Sequence, residues 1–225
     1  MRGYDLLPPL DLHSVEGGGL VANGTTLFAG MNFLGMHRDK YHGVTYAKAH
    51  VLQQAAKISP GKTISLEYPY SREHADMMLV PFDERRIGFG NVAKTVSLLH
   101  RNGIALNHAE DAENRRLNDA VEECREMLQS EGFTLVDLPL AYLQEKTRLC
   151  MVTYSNVLMD THRAYIPVRQ DAESPRFAKA AKLMDGWAFD TFAQFKEPVP
   201  IAGFEQPQAW YSAALRCTFN VLARS

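Results

Sequence analysis

At 225 residues the chain is long enough for one large domain or two small ones, and 46% hydrophobic against 22% charged residues excludes an extended disordered chain. A formal net charge of -2, with no Lys/Arg cluster, leaves no electrostatic footprint for nucleic acid or an anionic membrane. Cys124, Cys150 and Cys217 form no CxxC pair, so neither a disulfide framework nor a zinc ribbon is expected, and a reducing, cytoplasmic setting is. The amino terminus lacks the apolar run of a signal peptide, and no segment has the apolar length of a membrane span.

Pro8 and Pro9 keep residues 1 to 12 extended or irregular. Glu16-Gly17-Gly18-Gly19 then leads into Leu20-Val21-Ala22, and Asn23-Gly24 separates that run from Thr25 to Ala29. Asn-Gly between two short apolar runs predicts a hairpin, because both turn positions favour positive φ. Tyr46 to Ile58 carries apolar residues at helical spacing and ends near Pro60-Gly61, after which Thr63 to Leu66 reads as a strand.

The order then repeats. His74 to Val80, a polar turn from Asp83 to Arg86, and Ile87 to Phe89 predict a second hairpin. Ala112 to Ser130 predicts an amphipathic helix with Leu117, Val121, Cys124 and Leu128 on one face, closed by Gly132 and followed by a strand from Phe133 to Val136. Met151 to Met159, a turn at Asp160 to Arg163, and Ala164 to Val168 predict a third hairpin. A helix from about Pro175 to Trp187 and a strand around Val199 and Ile201 complete that round, and Leu215 to Leu222 belongs to a further unit.

The reading is of one α/β domain, residues 1–225, with hairpin-helix-strand units at about 15–70, 71–140 and 150–205 and a terminal strand at 213–225. One such unit cannot bury its own apolar face, so repetition implies radial or solenoid packing. Equivalent ends of radial units converge on an axis, and chemically able residues fall at those ends: Glu16 before the first hairpin, His74 opening the second, Cys217 entering the last strand. Cys217 alone reads as a small buried hydrophobe, as Cys124 and Cys150 do. Trp187 and Trp210 read as core or interface anchors. His37 and His42 are near one another but without an HExxH or HxH pattern, so no metal or cofactor is expected.

Four stretches in this order, Glu16-Gly17-Gly18, His74-Ala75-Asp76 followed by Met-Met-Leu-Val-Pro, Tyr154-Ser155-Asn156-Val157, and Arg216-Cys217-Thr218 followed by Arg224, resemble the guanidino-group modifying enzymes. That superfamily comprises arginine and agmatine deiminases, dimethylarginine hydrolases and amidinotransferases. The resemblance runs from about Val15 to Arg224 and implies a pentein-type α/β propeller of ββαβ units around a pseudo-symmetry axis, five-bladed in the family. It implies Cys217 as nucleophile, His74 as general acid/base, Asp76 as a carboxylate gripping the guanidinium, and Glu16 orienting His74 or holding substrate. Arg216 joins Asp76 and Glu16 as a substrate-binding residue. The family's second guanidinium-binding Asp comes from an earlier unit for which this chain starts too late, so the propeller is expected to be incomplete at its N-terminal side. Gly19 stands where the family often has a polar group, and Ala213 and Ala214 where it often has glycines.

The chemistry suits these residue types. A guanidinium is a planar cation that stays protonated at neutral pH, so holding it away from water requires carboxylates. Its resonance makes the central carbon a poor electrophile that only a thiolate attacks readily, and the departing amine needs an acid near neutrality. The expectation is a cysteine-dependent hydrolase of the deiminase type acting on arginine or a small guanidino compound through a covalent thiouronium. One alternative is an amidinotransferase with the same nucleophile; another is a non-catalytic propeller retained for binding or assembly. A missing first unit would leave a sheet edge uncovered, so a homodimer is expected, with no nucleic-acid or membrane partner.

Overall fold

The computed structural model describes residues 19–30, 52–53, 56–57, 61–66, 75–168 and 174–201. Strands β1 (Leu20–Ala22) and β2 (Thr26–Gly30) pair antiparallel, and β3 (Lys62–Leu66) lies parallel to β2. β4 (Leu79–Pro81) and β5 (Arg86–Asn91) form the next antiparallel pair. Helices α1 (Val92–Arg101) and α2 (His108–Ser130) then carry the chain to β6 (Thr134–Glu145), parallel to β5, and β6 turns back into β7 (Arg148–Thr153). Finally β8 (Leu158–Met159) pairs antiparallel with β9 (Arg163–Pro167), and α3 (Pro175–Phe192) leads to β10 (Glu197–Ile201), parallel to β9. Each sheet thus holds an opening hairpin followed by a parallel third strand.

The three opening hairpins share one turn chemistry. Asn23 Oδ1 accepts from the backbone N–H of Thr25 (3.2 Å) and Thr26 (2.7 Å). Asp83 Oδ1 does the same for Arg85 (2.9 Å) and Arg86 (2.7 Å), and Asp160 Oδ1 for His162 and Arg163 (both 2.7 Å). The carbonyl of the last turn residue then receives the first N–H of the third strand: Lys62 to Thr25, Thr134 to Arg85 and Glu197 to His162, at 2.9–3.0 Å. Asn23 therefore works through its side chain; only Gly24 of the Asn-Gly pair takes a positive φ, 93°.

Several elements differ from expectation. Helix α1, which the sequence reading does not include, follows β5 without a break, capped by Asn91, whose side chain accepts from Lys94 N, and buries Val92, Thr95 and Leu99 on one face. Helix α2 starts at His108 rather than Ala112, because Asn107 and Glu110 form a capping box. The stretch from Met151 to Met159 is not one strand: Tyr154 to Val157 separate β7 from β8. The expected helix Tyr46 to Ile58 lies mostly outside the described residues, of which 52–53 and 56–57 are helical, and Leu215 to Leu222 lies wholly outside them. No described helix is long and apolar enough to cross a membrane.

β6 is twice as long as the part of it that pairs with β5. Its first half, to Pro139, lies against β5, and its second half, from Leu140, against β7. Beyond the end of β5, the N–H groups of Leu140, Tyr142 and Gln144 face away from β7 and would be buried without partners. Helix side chains supply them. Thr95 Oγ1 accepts from Leu140 N (3.0 Å), Asn114 accepts from Tyr142 N and donates to Tyr142 O (both 2.8 Å), and Glu110 Oε1 accepts from Gln144 N (2.7 Å). Thr95, Asn114 and Glu110 are all buried, which accounts for three polar residues inside the helix layer.

Two apolar cores lie on either side of the β4–β7 sheet. Leu117, Val121, Cys124 and Leu128 of α2 pack with Phe28, Ile64 and Leu66 of the first sheet and with Ile87 and Phe89. Phe177, Ala181, Met184 and Phe192 of α3 pack with Leu143, Cys150 and Val152 and with Ala164 and Ile166. Cys124 and Cys150 are both buried core residues, as expected. At the rim between α2 and α3, the fully buried Glu110 carboxylate is gripped by both Arg176 Nη atoms, at 2.8 and 2.6 Å. Burial pushes Glu110 up, but the hydrogen bonds from Arg176, Gln144 N and Asn107 N outweigh it and hold it below the usual carboxylate range.

Replacing Asn114 with Ala orphans both backbone groups of Tyr142 and is expected to cost about 2–4 kcal/mol in urea denaturation, against less than about 1 kcal/mol at the exposed Glu126 of the same helix. The lowered Glu110 pKa has a definite sign: its stabilisation is complete above its ordinary value of 4.5 and is lost as pH falls through the lowered folded value. Glu110→Gln should therefore lower the midpoint at pH 7 and flatten the acid limb below pH ~4.5 in a thermal-shift pH series.

Candidate active site

The open end of the second hairpin holds the expected guanidinium-binding residue. Asp76 lies in a single 3₁₀ turn, Ala75–Met77, just before β4, and is 1% exposed. The expectation that Asp76 sits on a strand, sharing a face with the residue two before it, is thereby corrected: Met78 N donates to Ala75 O (3.1 Å) and closes a helical turn instead. Of the other expected site residues, Glu16, His74, Arg216 and Cys217 lie outside the described residues.

Three strand ends hold the Asp76 turn. Gly90, near the end of β5, donates its N–H to Met78 O at 3.1 Å. Thr153, the last residue of β7, donates its hydroxyl to Met77 O at 2.7 Å. Gly30 ends β2 so close to Ala75 that a Cβ there would stand 3.0 Å from the Ala75 Cβ, tighter than ordinary packing allows. Asp76 thus sits where strands from the first two sheets meet.

Gly90 is itself anchored. Arg125 of α2 donates Nη2 to Gly90 O (3.2 Å), places Nη1 3.0 Å from Asp137 Oδ1, and lies over the Phe89 ring at 5.6 Å. Asp137 also accepts from Asn91 (2.9 Å) and pairs with Lys94. Burial pushes Asp137 up, and the Asn91, Lys94 and Arg125 contacts more than reverse this, so the carboxylate stays charged and keeps the arginine in place.

On the far side, the segment between β7 and β8 is also polar and buried. Ser155 and Asn156 are 0% and 2% exposed, and Tyr154 donates its hydroxyl to Asp185 at 2.7 Å. Burial raises the Asp185 carboxyl, offset in part by that hydrogen bond. Of the two described thiols, Cys124 is pushed up to about 12, mainly by burial, so it stays protonated at neutral pH. Among the described residues no cluster of His, Cys, Asp and Glu is arranged to hold a metal ion.

Thr153 and Gly90 were not singled out by sequence. The alternation Gly88-Phe89-Gly90 was the available signal for Gly90, since glycines inside a strand mark close backbone approach. Nothing local marks Thr153, whose partner is 76 residues away.

No protein-family model matches the chain, and no curated protein matches it by sequence. Solved structures do match by fold. Agmatine deiminase of C. jejuni is similar with a TM-score of 0.56 at 16% identity, over 84% of this chain and 50% of that one. Agmatine deiminase of Enterococcus faecalis gives 0.55 at 11% identity, over 83% and 51%. A Porphyromonas gingivalis protein assigned as an arginine deiminase gives 0.54 at 20% identity, over 89% and 54%. The chain therefore has the mixed α/β fold of these proteins and spans about half of their length.

Thr153→Val keeps the shape of the side chain and removes the hydroxyl that holds Met77 O. It is expected to lower stability by about 1–3 kcal/mol in chemical denaturation, and Thr153→Ser, which keeps the hydroxyl, to recover most of that loss.

Proposed function

We propose that the chain is a cysteine-dependent hydrolase of the deiminase type, acting on arginine or a small guanidino compound. The observation that carries this reading is Asp76: a carboxylate 1% exposed, held by strand ends of two sheets, on the fold of the agmatine deiminases. A buried carboxylate suits a planar cationic partner that can donate two parallel N–H bonds. Glu16, His74 and Cys217 supply the remaining chemical types, in the order of the superfamily motifs. The proposal extends to a pentein-type propeller in which the described sheets are successive blades.

In this reading Asp76 grips the substrate guanidinium, Glu16 orients His74 or holds substrate, and Arg216 joins in binding the substrate. The Cys217 thiolate attacks the guanidinium carbon, forming a C–S bond, and the C–N bond to one terminal amine breaks as His74 protonates that amine. The product of this step is a thiouronium on Cys217. His74 then takes a proton from water, whose oxygen attacks the same carbon; the C–S bond breaks and a ureido product leaves with the thiolate restored. If an amine replaces water in the second half, the same residues perform amidino transfer.

Ammonia release from arginine, agmatine, methylated arginines and guanidinoacetate tests the reading. Cys217→Ala is expected to abolish turnover, by at least on the order of 1,000-fold, and Asp76→Asn to lower kcat/KM by on the order of 100-fold while the fold is kept. Full turnover by Cys217→Ala would overturn the mechanism. Transfer of the amidino group to an added amine, with little ammonia, would move the assignment to the transferases.

A further inference from the structure

Ser155 is fully buried, and among the described residues its Oγ meets no hydrogen-bond partner. A buried hydroxyl in that state weakens the fold, and native structures retain such groups where a ligand or an ordered water meets them. The surroundings make Ser155 rigid. Its N–H donates to Thr153 Oγ1 at 3.2 Å, its carbonyl accepts from Val157 N at 3.0 Å, and the preceding Tyr154 is fastened to Asp185 on α3.

The shared register of the hairpins says which residue Ser155 corresponds to. In the second hairpin the last residue of β4, Pro81, pairs with the second residue of β5, Ile87; in the third, Met159 ends β8 and pairs with the second residue of β9, Ala164. Counting back from Pro81 and Met159 sets Asp76 and Met77 against Tyr154 and Ser155. The two segments also touch, because one hydroxyl, that of Thr153, donates to Met77 O at 2.7 Å while accepting from Ser155 N. The register therefore sets Ser155 against Met77, the residue after Asp76, at corresponding open ends of neighbouring hairpins, and the Thr153 side chain ties the two segments together.

We infer that Ser155 is a further substrate-contacting residue of the site that contains Asp76, its Oγ accepting one N–H of the bound guanidinium. This rests on the proposed function. A guanidinium has only donors, and a carboxylate saturates one edge of it; the remaining N–H groups need acceptors that add no further buried charge. A rigid neutral hydroxyl on the segment that Thr153 ties to the Asp76 turn meets that need.

Ser155→Ala tests the inference, since it removes the hydroxyl and leaves the backbone that Thr153 and Val157 hold. The expected result is a KM for the best guanidino substrate raised roughly tenfold, with kcat changed by less than about threefold. The thermal midpoint without substrate should stay level or rise, because an unpartnered buried hydroxyl has been removed. Ser155→Cys, a weaker hydrogen-bonding group of similar size, should give an intermediate KM. A KM within about twofold of wild type in Ser155→Ala overturns the inference and leaves the proposed function standing, and so does a fall in midpoint of several degrees at unchanged KM, which marks a structural hydroxyl. Wild-type protein that neither turns over nor is heat-stabilised by any of the guanidino compounds takes down both.

Discussion

The second half of β6 has to find backbone partners where β5 has already ended, and the way it finds them sets the rest of the structure. A bare strand edge inside a helix layer would leave the N–H groups of Leu140, Tyr142 and Gln144 unbonded in an apolar setting. Thr95, Asn114 and Glu110 act in place of a strand, and by doing so they fix α1 and α2 against the sheet in one register. The same arrangement lets β6 run on to pair with β7. β7 ends at Thr153, whose hydroxyl holds the turn that bears Asp76. The position of the candidate carboxylate therefore depends on hydrogen bonds made by helix side chains elsewhere on the sheet.

The opening hairpins show why buried polar residues gather at one end of the second and third sheets. At the tip, Asn23, Asp83 or Asp160 accepts the local N–H groups and the turn carbonyl accepts from the third strand, so the polar groups there are consumed by the turn itself. At the other end the chain enters and leaves, and its polar groups bond across to neighbouring segments, as Thr153 does to Met77 O. Asp76, Thr153, Ser155 and Asn156 all lie at these ends, buried because the sheets converge there.

Much of this was legible in the sequence, and the gaps have physical causes. The turn residues of all three hairpins and the buried face of α2, with Leu117, Val121, Cys124 and Leu128, follow from local patterns, and the structure has them where the patterns put them. Long-range bonding is what local patterns do not carry. Helix α1 follows β5 directly, its cap Asn91 being also the last residue of the strand, and α2 begins four residues early because a cap outweighs the first apolar position. The run from Met151 to Met159 looks continuous, yet Ser155 N bonds to the Thr153 side chain instead of a ladder carbonyl, and the strand breaks there. For the site, Asp76 is buried, and the 3₁₀ turn that presents it comes from contacts with Gly90, Thr153 and Gly30, which are distant in sequence.

Two of the protein's own arginines show which acceptors gather around a guanidinium in this fold. Arg176 has both Glu110 oxygens and the Ala105 carbonyl, three acceptors around one planar head. Arg125 has an Asp137 oxygen and the Gly90 carbonyl, with the Phe89 ring beneath it. Arg125 also has Glu122 Oε1 at 3.4 Å from its Nε, so in both cases carboxylate oxygens supply the charge and a backbone carbonyl supplies a further, neutral acceptor. On the proposed function, a guanidinium brought to Asp76 would make the same demand, and a neutral acceptor on the neighbouring buried segment, such as Ser155, would complete what the carboxylate begins.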